Sequence, residues 1–534
     1  MNLNLCITFE DYKNVAGPDW PSYDDFLLRN YNVNDAIQLE IDQFINVSKE
    51  RFNQTNITSQ RYIDIAVEKL HLYVTANDYK LGAGPDWPTY QEYINGTKLT
   101  NQSIQQEIDI FTQRHLDQGI KFPISSKTAC QSKWTWSTIY LNQLSTASCH
   151  RVYPINFSIE DFDNFHNIPK KISDRKLMLK GQWPTGGCEY CKDIEHAGGW
   201  SDRQHNLDIR GLTPPELEYD SNAVHVTPRI VEIFAQNACN LSCIYCNGNL
   251  SSKIEQENIK FGNFDSGGVK IPIITTPTAA AKNYFDRFIT WLNLNIQNLV
   301  RLHLLGGETF VQHDLMNCVL LILENQPCPN LELCMFSNLN APDKYWDLYI
   351  GRIKDLQQRG HLKCFDLTAS IDCWGPEQEY VRSGLNLQKF EKRLAWAVDQ
   401  GDWLRMNVNQ TITAMTMRTM PQLIEKIAYY SKFKPIGHYF QYYTGLHMFQ
   451  HPKIYAWSFW QDTCERILQS MPTGDQGSRE NEARQRMIGM QQLLKKQTQH
   501  DSNEIKKLHI YLDEIDRRRN TNWRSLFAYL DIDQ

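Results

Sequence analysis

The chain has 534 residues, 41% of them hydrophobic and 22% charged, and a net charge of −6. That length accommodates about three or four domains of ~150 residues each, with enough apolar content for packed cores. The acidic balance gives no general attraction to nucleic acid or anionic lipid, and the apolar run Cys318–Leu323 is far too short for a membrane span, so neither partner is expected.

The first residues, Met1–Glu10, lack the basic flank and apolar stretch of a signal peptide, which makes a cytoplasmic protein the expectation. An internal repeat follows. Tyr12-Lys-Asn-Val-Ala-Gly-Pro-Asp-Trp-Pro-Ser-Tyr23 returns as Tyr79-Lys-Leu-Gly-Ala-Gly-Pro-Asp-Trp-Pro-Thr-Tyr90. The offset stays constant, pairing Ala16 with Ala83, Glu40 with Glu107 and Phe44 with Phe111, which marks a duplication. Gly-Pro-Asp is turn chemistry. Ser22-x-x-Asp25 and Thr89-x-x-Glu92 read as capping-box helix starts, with second helices expected around Asp35–Phe44 and Gln102–Phe111. Each copy is then a turn with two helices pinned by Trp20 or Trp87. A stabilising appendage and a docking module for a substrate or partner both fit this pattern.

From Phe122 to Asn222 few stretches are periodic, but four cysteines stand out: Cys130, Cys149, Cys188 and Cys191. Trp136–Leu141 and Ser145–Cys149 read as a short hairpin, and Asp174–Leu179 as a helical turn. Four thiolates with one C-x2-C pair suit a closed iron–sulfur cluster, for electron transfer or scaffolding, or tetrahedral zinc.

From about His225 strands and helices alternate. Apolar runs at Pro228–Ala235, Arg301–Leu305, Leu331–Ser337, Cys364–Asp372, Trp403–Thr413 and His438–Tyr443 read as strands. Helical stretches between them include Thr278–Asn295, Leu315–Glu324, Leu387–Ala397 and Met420–Tyr430. The alternation predicts an α/β fold with a parallel sheet and right-handed crossovers. After His451 the chain is charged and helical, with amphipathic helices expected over Glu480–Gln499 and Ser502–Arg519. Arg517-Arg518-Arg519 reads as a solvated or carboxylate-paired helix end.

The most informative segment follows the first of these strands. Cys239, Cys243 and Cys246 lie in Asn-Ala-Cys-Asn-Leu-Ser-Cys-Ile-Tyr-Cys-Asn. Thiolates this close can hold an iron–sulfur cluster, and three ligands on four irons leave one iron open to bind a small molecule. A zinc site would favour C-x2-C pairs and need a fourth ligand. The spacing C-x3-C-x2-C, with Tyr245 before the last cysteine, resembles the signature of the radical S-adenosylmethionine (SAM) superfamily. Gly306-Gly307-Glu308 at the end of the second strand resembles that superfamily's Gly-Gly-Glu motif, with Thr309 in place of the usual proline. The resemblance implies a partial (β/α)6 barrel with its chemistry at the C-terminal strand ends. It also implies a [4Fe–4S] cluster whose open iron chelates SAM, and reductive cleavage to a 5′-deoxyadenosyl radical that takes hydrogen from substrate. Glu308 would hold the SAM amino group. Ser337, Asn338, Ser370 and Asp372 resemble by position the segments that contact its ribose and carboxylate, and Arg382 and Asn409 are further candidates. Cys373, next to Asp372, is a candidate hydrogen-atom donor, although a buried inert thiol is the commoner case. Cys6, Cys318, Cys328, Cys334, Cys364 and Cys464 read as core thiols.

The arrangement of Cys130, Cys149, Cys188 and Cys191 resembles the twitch domain, a shortened SPASM domain with an auxiliary [4Fe–4S] cluster. The surrounding Arg175, Met178, Gly181, Trp183, Pro184, Glu195, Gly198, Gly199, Ser201 and Arg203 fit a family that carries this domain N-terminal to the barrel. The expected organisation is a duplicated helical repeat over 1–120, a small α+β twitch-like domain over 121–225, the barrel over 226–450 and a helical extension over 451–534. Expected partners are an unidentified peptide or small polar substrate and an electron donor such as flavodoxin or ferredoxin. A non-catalytic metal-binding adaptor, docking a partner through its repeats, is the rival reading.

Overall fold

The computed structural model describes residues 12–54 without 14 and 29–31, residues 74, 79, 83–95 without 85, and residues 102–117; beyond them it describes residues 128–196, 201, 203, 224–275, 278–474 and 479–532. The chain divides into two compact units, Met1–Trp134 with Ile172–Val226 and Thr135–Lys171 with Thr227–Gln534.

The second unit is built on one large, mostly parallel sheet. Its strands are β1 (Trp136–Tyr140), β2 (Ser145–Ala147), β3 (Ile155–Asn156), β4 (Ile230–Phe234), β5 (Arg301–Leu305), β6 (Cys328–Ser337), β7 (Leu362–Ser370), β8 (Leu404–Ile412) and β9 (Ile436–Tyr442). They lie in the order β9-β8-β7-β6-β5-β4-β1-β2-β3. Strands β4 to β9 are parallel neighbours in chain order. The hairpin expected around Asn142 forms, and β1 pairs in parallel with β4, so it extends this sheet.

The two-residue period of the strands separates two faces. On one, Leu302, Leu304, Leu333, Met335, Leu367, Met406 and Val408 share a core with the helices between the strands. Those helices are α2 (Thr278–Asn295), α3 (His313–Asn325), α4 (Asp343–Gln358), α5 (Leu387–Val398) and α6 (Met420–Ser431); α1 (Ser252–Phe261) follows the cysteine loop. The other face is polar. The registers place Thr138, Glu232, His303, Cys334, Asp366 and Arg405 in one row across β1, β4, β5, β6, β7 and β8. Its charges are paired. Thr138 donates to Glu232 at 2.6 Å, and Asn407 donates to Asp366. Glu332, in the neighbouring row beside Arg301, is reached by Arg301, Arg405 and Lys363. Buried charges persist only with such partners. A second core joins the outer strand ends to α7 (Trp457–Ser470), α8 (Arg479–Lys495) and α9 (Ser502–Arg519).

In the first unit the two repeats fold alike. Helices Tyr23–Leu28 and Asp35–Gln54 form one copy, Tyr90–Asn95 and Gln102–Asp117 the other. The indole N–H donates to Glu40 at 3.2 Å from Trp20 and to Glu107 at 3.1 Å from Trp87. The hydroxyls of Tyr12 and Tyr79 donate to the carbonyls of Pro21 and Pro88. Thr89 and Glu92 exchange capping bonds, each backbone N–H donating to the other's side chain. Each copy thus closes its own small aromatic core, with Phe26 at the centre of one and Trp87 and Phe111 in the other.

Trp87→Ala removes a buried indole and leaves Glu107 without its donor. We expect a loss of ~3–5 kcal/mol for that copy, the usual range for a buried Trp-to-Ala change. Hydrogen exchange should show helices Tyr90–Asn95 and Gln102–Asp117 losing protection while β4–β9 keep theirs.

Candidate functional site

The cysteine loop is held at both ends by backbone. Asn237 accepts from the N–H of Ser252 at 2.7 Å, and Cys239 N–H donates to the Ser252 hydroxyl at 3.1 Å, so the loop is closed onto the start of α1. Ser251 caps α1 and donates back to the Leu241 carbonyl at 2.8 Å. Within the loop, Ser242–Cys243 forms a short antiparallel ladder with Arg382–Ser383. The Leu241 N–H points at the Cys239 sulfur, 3.5 Å away. Burial raises all three thiols, Cys239 to about 12, and each is raised further by a neighbouring thiol or carboxylate. Such thiols stay protonated unless a metal displaces the proton.

Gly306 and Gly307 press against this loop. Gly307 N–H donates to the Gln236 carbonyl at 3.1 Å and Glu308 N–H to the Ala238 carbonyl at 2.8 Å. A Cβ on Gly306, which has φ +117°, would come within 2.4 Å of the Gln236 oxygen, and one on Gly307 within 2.1 Å of the Ala238 oxygen. The close approach that needs glycine is therefore to the cysteine loop. The buried Glu308 carboxylate then accepts from the Ser337 hydroxyl at 2.9 Å, Asn338 N–H at 2.7 Å and Phe310 N–H at 3.2 Å. Burial raises its pKa to about 7 against the pull of these bonds. A carboxylate has about four acceptor sites, so three bonds leave one for a ligand. An asparagine network absent from the sequence reading continues outward. Asn338 donates to Asn240 at 2.9 Å, Asn240 to the Asn340 carbonyl at 3.0 Å, and Asn340 to the Asn386 carbonyl at 3.0 Å.

Asp372 is fully buried and committed. Arg382 grips it at 2.7 and 2.9 Å, Tyr245 donates to it at 2.6 Å, and the Thr411 N–H at 2.9 Å. These bonds fill its acceptor sites, so Asp372 and Arg382 brace the loop, with Arg382 also lying 5.6 Å from the Tyr245 ring centre. Arg382 pulls the Cys243 thiol down against burial, Asp372 pushes it up, and Arg519 pulls it down again. By contrast Ser370 and Asn409 sit side by side in register on the polar face, half-buried, and their side chains make no hydrogen bond among the described residues. Cys373 is fully buried next to Thr419, with its N–H held by Gln378 at 2.8 Å.

The C-terminal extension reaches the same loop. Tyr511 on α9 donates to the Ile244 carbonyl, which Gln450 also bonds at 3.3 Å. Arg518 donates to Glu514 and, at 3.0 Å, to Asn258 of α1. Arg519 pairs with Glu257 of α1 at 2.8 and 3.2 Å. All three arginines of the run are thus paired with carboxylates, Arg517 with Glu514.

In the first unit, Cys188 begins the helix Glu189–His196, whose Glu189 accepts from Gly186 and Gly187 N–H at 3.1 and 2.7 Å. Burial pushes the Cys188 thiol up to about 11, Lys133 opposes this, and Cys130 and Cys191 add to it. The segment bearing Cys130 is pinned by Arg203 to the Ala129 carbonyl and by Arg175 to the Lys133 carbonyl, both at 2.7 Å. Arg203 is held in turn by Glu195 and lies over Trp183. Cys149 belongs to the other unit. Cys328, Cys334, Cys364 and Cys464 are buried and Cys318 half-buried. Cys6, Gly198 and Gly199 lie outside the described residues.

Among the described residues no three His, Cys, Asp or Glu side chains converge as a single metal ion requires. A four-iron cluster makes a different demand, because each thiolate binds a different iron and the ligands ring the cluster. Three thiols in one short loop, Cys239, Cys243 and Cys246, are the donor chemistry such a cluster takes.

No family model matches the chain, and no curated protein matches it. Among solved structures, the crystal structure of Streptococcus suis SuiB bound to precursor peptide SuiA is similar, with 13% identity and a TM-score of 0.30 over 59% of this chain. The match spans 63% of that chain, less than two thirds of its length. At that score the likeness carries no argument. No helix among the described residues is long and apolar enough to cross a membrane.

Gly307→Ala forces a Cβ into the Ala238 carbonyl. We expect the variant to fold but to displace residues 236–239, lowering the iron that the chain takes up in anaerobic reconstitution. Gly360→Ala, at a positive φ but with open space around its Cβ position, should keep that iron.

Proposed function

We propose that this chain is a radical SAM enzyme with an auxiliary metal site. The observation that carries the reading is the docking of a three-cysteine loop onto a Gly-Gly-Glu strand end whose carboxylate has one acceptor site to spare. On this reading β4–β9 form the partial (β/α)6 barrel, and Cys239, Cys243 and Cys246 hold a [4Fe–4S] cluster. When bound and reduced, such a cluster supplies the electron that splits the sulfonium of SAM and yields a 5′-deoxyadenosyl radical able to take hydrogen from substrate.

The chain's own residues bind and orient. Glu308 accepts the SAM ammonium at its remaining site, fixed by Ser337 and Asn338. Ser370 and Asn409 offer unspent hydrogen-bonding groups on the polar face for the ribose or carboxylate. Asp372, Arg382 and Tyr245 keep the loop in place. Full burial of Cys373 favours a core role over hydrogen donation. Cys130, Cys188 and Cys191 are the ligand candidates of the twitch-like auxiliary site, for a second [4Fe–4S] cluster. The substrate is a peptide or small polar molecule, and a flavodoxin or ferredoxin supplies electrons. The repeats stand apart from this chemistry and serve as a docking or stabilising module.

Anaerobic reconstitution followed by iron, sulfide and zinc analysis tests the reading. Changing Cys239, Cys243 and Cys246 together to Ala should remove one cluster's iron and abolish 5′-deoxyadenosine formation from SAM and dithionite. Retention of that product in the triple variant would sink the enzyme reading.

The auxiliary site should respond separately. Cys188→Ala should lose the second metal yet still bind SAM, because its ligands lie outside the loop of Cys239–Cys246. Full metal content in a folded Cys188→Ala chain would remove the twitch assignment.

A further inference from the structure

The arginine run at the end of α9 reads from its sequence as a solvated or carboxylate-paired helix end; the pairing holds, and the Arg519 side chain is 7% exposed. Glu257 takes its Nε and one terminal nitrogen, and the other terminal nitrogen, Nη1, is buried with no partner among the described residues. A buried N–H left unpaired is costly and rare, so an acceptor is missing from its surroundings. The cysteine loop is near enough to feel this charge, since Arg519 pulls the Cys243 thiol down. Glu257 lies on α1, which starts where the loop closes, and Tyr511 of the same α9 bonds the Ile244 carbonyl, next to Cys243. Arg382 is the cross-strand partner of Cys243 in the short ladder. Guanidinium groups from two separate elements thus act on the charge of one cysteine.

We propose that Arg519, together with Arg382, forms a cationic cradle for the negative charge of the cluster, so that the C-terminal helix sets how readily the cofactor is reduced. The inference rests on the open-cluster reading. Reduction adds one electron to an already anionic group. A fixed cation close by in a low-dielectric site favours the reduced form, and a fixed anion disfavours it. Arg382 is also bound to Asp372, and replacing it would dismantle the brace. Arg519 and its partner Glu257 allow a test by sign. Both act as positioning residues, since neither touches substrate.

The full chain is reconstituted anaerobically, and iron and sulfide are counted. Mediated dithionite titration then follows the reduced-cluster electron paramagnetic resonance signal that changes on adding SAM. Arg519→Gln should lower the reduced fraction at a fixed poise by about tenfold, equivalent to about 59 mV for a one-electron couple. Arg519→Lys should stay near the parent, and Glu257→Gln should raise the reduced fraction. A purely structural salt bridge would shift both partners' variants the same way or neither. An iron-replete Arg519→Gln chain with the parent potential overturns the proposal, as does a Glu257→Gln chain whose potential does not rise. If Arg519→Gln loses its iron, the Glu257→Gln result decides. Absence of any SAM-responsive cluster in the parent chain is a separate outcome that removes the open-cluster reading itself.

Discussion

The site depends on one backbone seam. Two carbonyls of the segment before Cys239 accept two N–H groups from the Gly306–Glu308 turn, at separations that leave no room for a side chain. The seam joins the end of β5 to the loop after β4. It therefore fixes where the thiols stand relative to Glu308, and through Ser337 and Asn338 relative to the end of β6. A side chain at either glycine would separate the parts without touching any residue of evident chemistry.

Around the seam the structure pairs its charges. Asp372 is saturated by Arg382, Tyr245 and Thr411, Glu332 gathers three cations, and the arginines of α9 each find a carboxylate. Ion pairs of this kind do little for net stability once desolvation is counted, but losing one partner leaves a stranded charge. They act as positional pins. Against that background the unspent groups are informative: the side chains of Ser370 and Asn409, the last acceptor site of Glu308 and one N–H of Arg519.

Much of this was legible in the sequence. The strands β4 to β9 follow from apolar runs of strand length between helical stretches, and the repeat from its constant offset, because both signals are local. What was not legible is non-local. Nothing in Trp136–Tyr140 announces a parallel pairing with Ile230–Phe234. The row from Thr138 to Arg405 was hidden because a polar residue between two apolar ones reads as facing water. Asp372 and Arg382 resembled ligand contacts by position, and only the fold shows that they bind each other. The glycines at 306 and 307 belong to a motif recognisable in the sequence, but only the fold shows that they make room for the loop. The run Arg517–Arg519 reads as a solvated or carboxylate-paired helix end; that the carboxylate of Arg519 comes from α1, far away in the chain, is non-local.

The contact from Tyr511 to Ile244 spans 267 residues. Ribosomes add about 5–20 residues per second, so the cysteine loop emerges tens of seconds before the helix that covers it. During that interval the thiols are tethered but not yet enclosed, open to oxidants and, on the proposed reading, to iron and sulfide. The brace closes a site that must already have been kept safe, which makes the timing of assembly, as much as its geometry, a property encoded by where α9 falls in the chain.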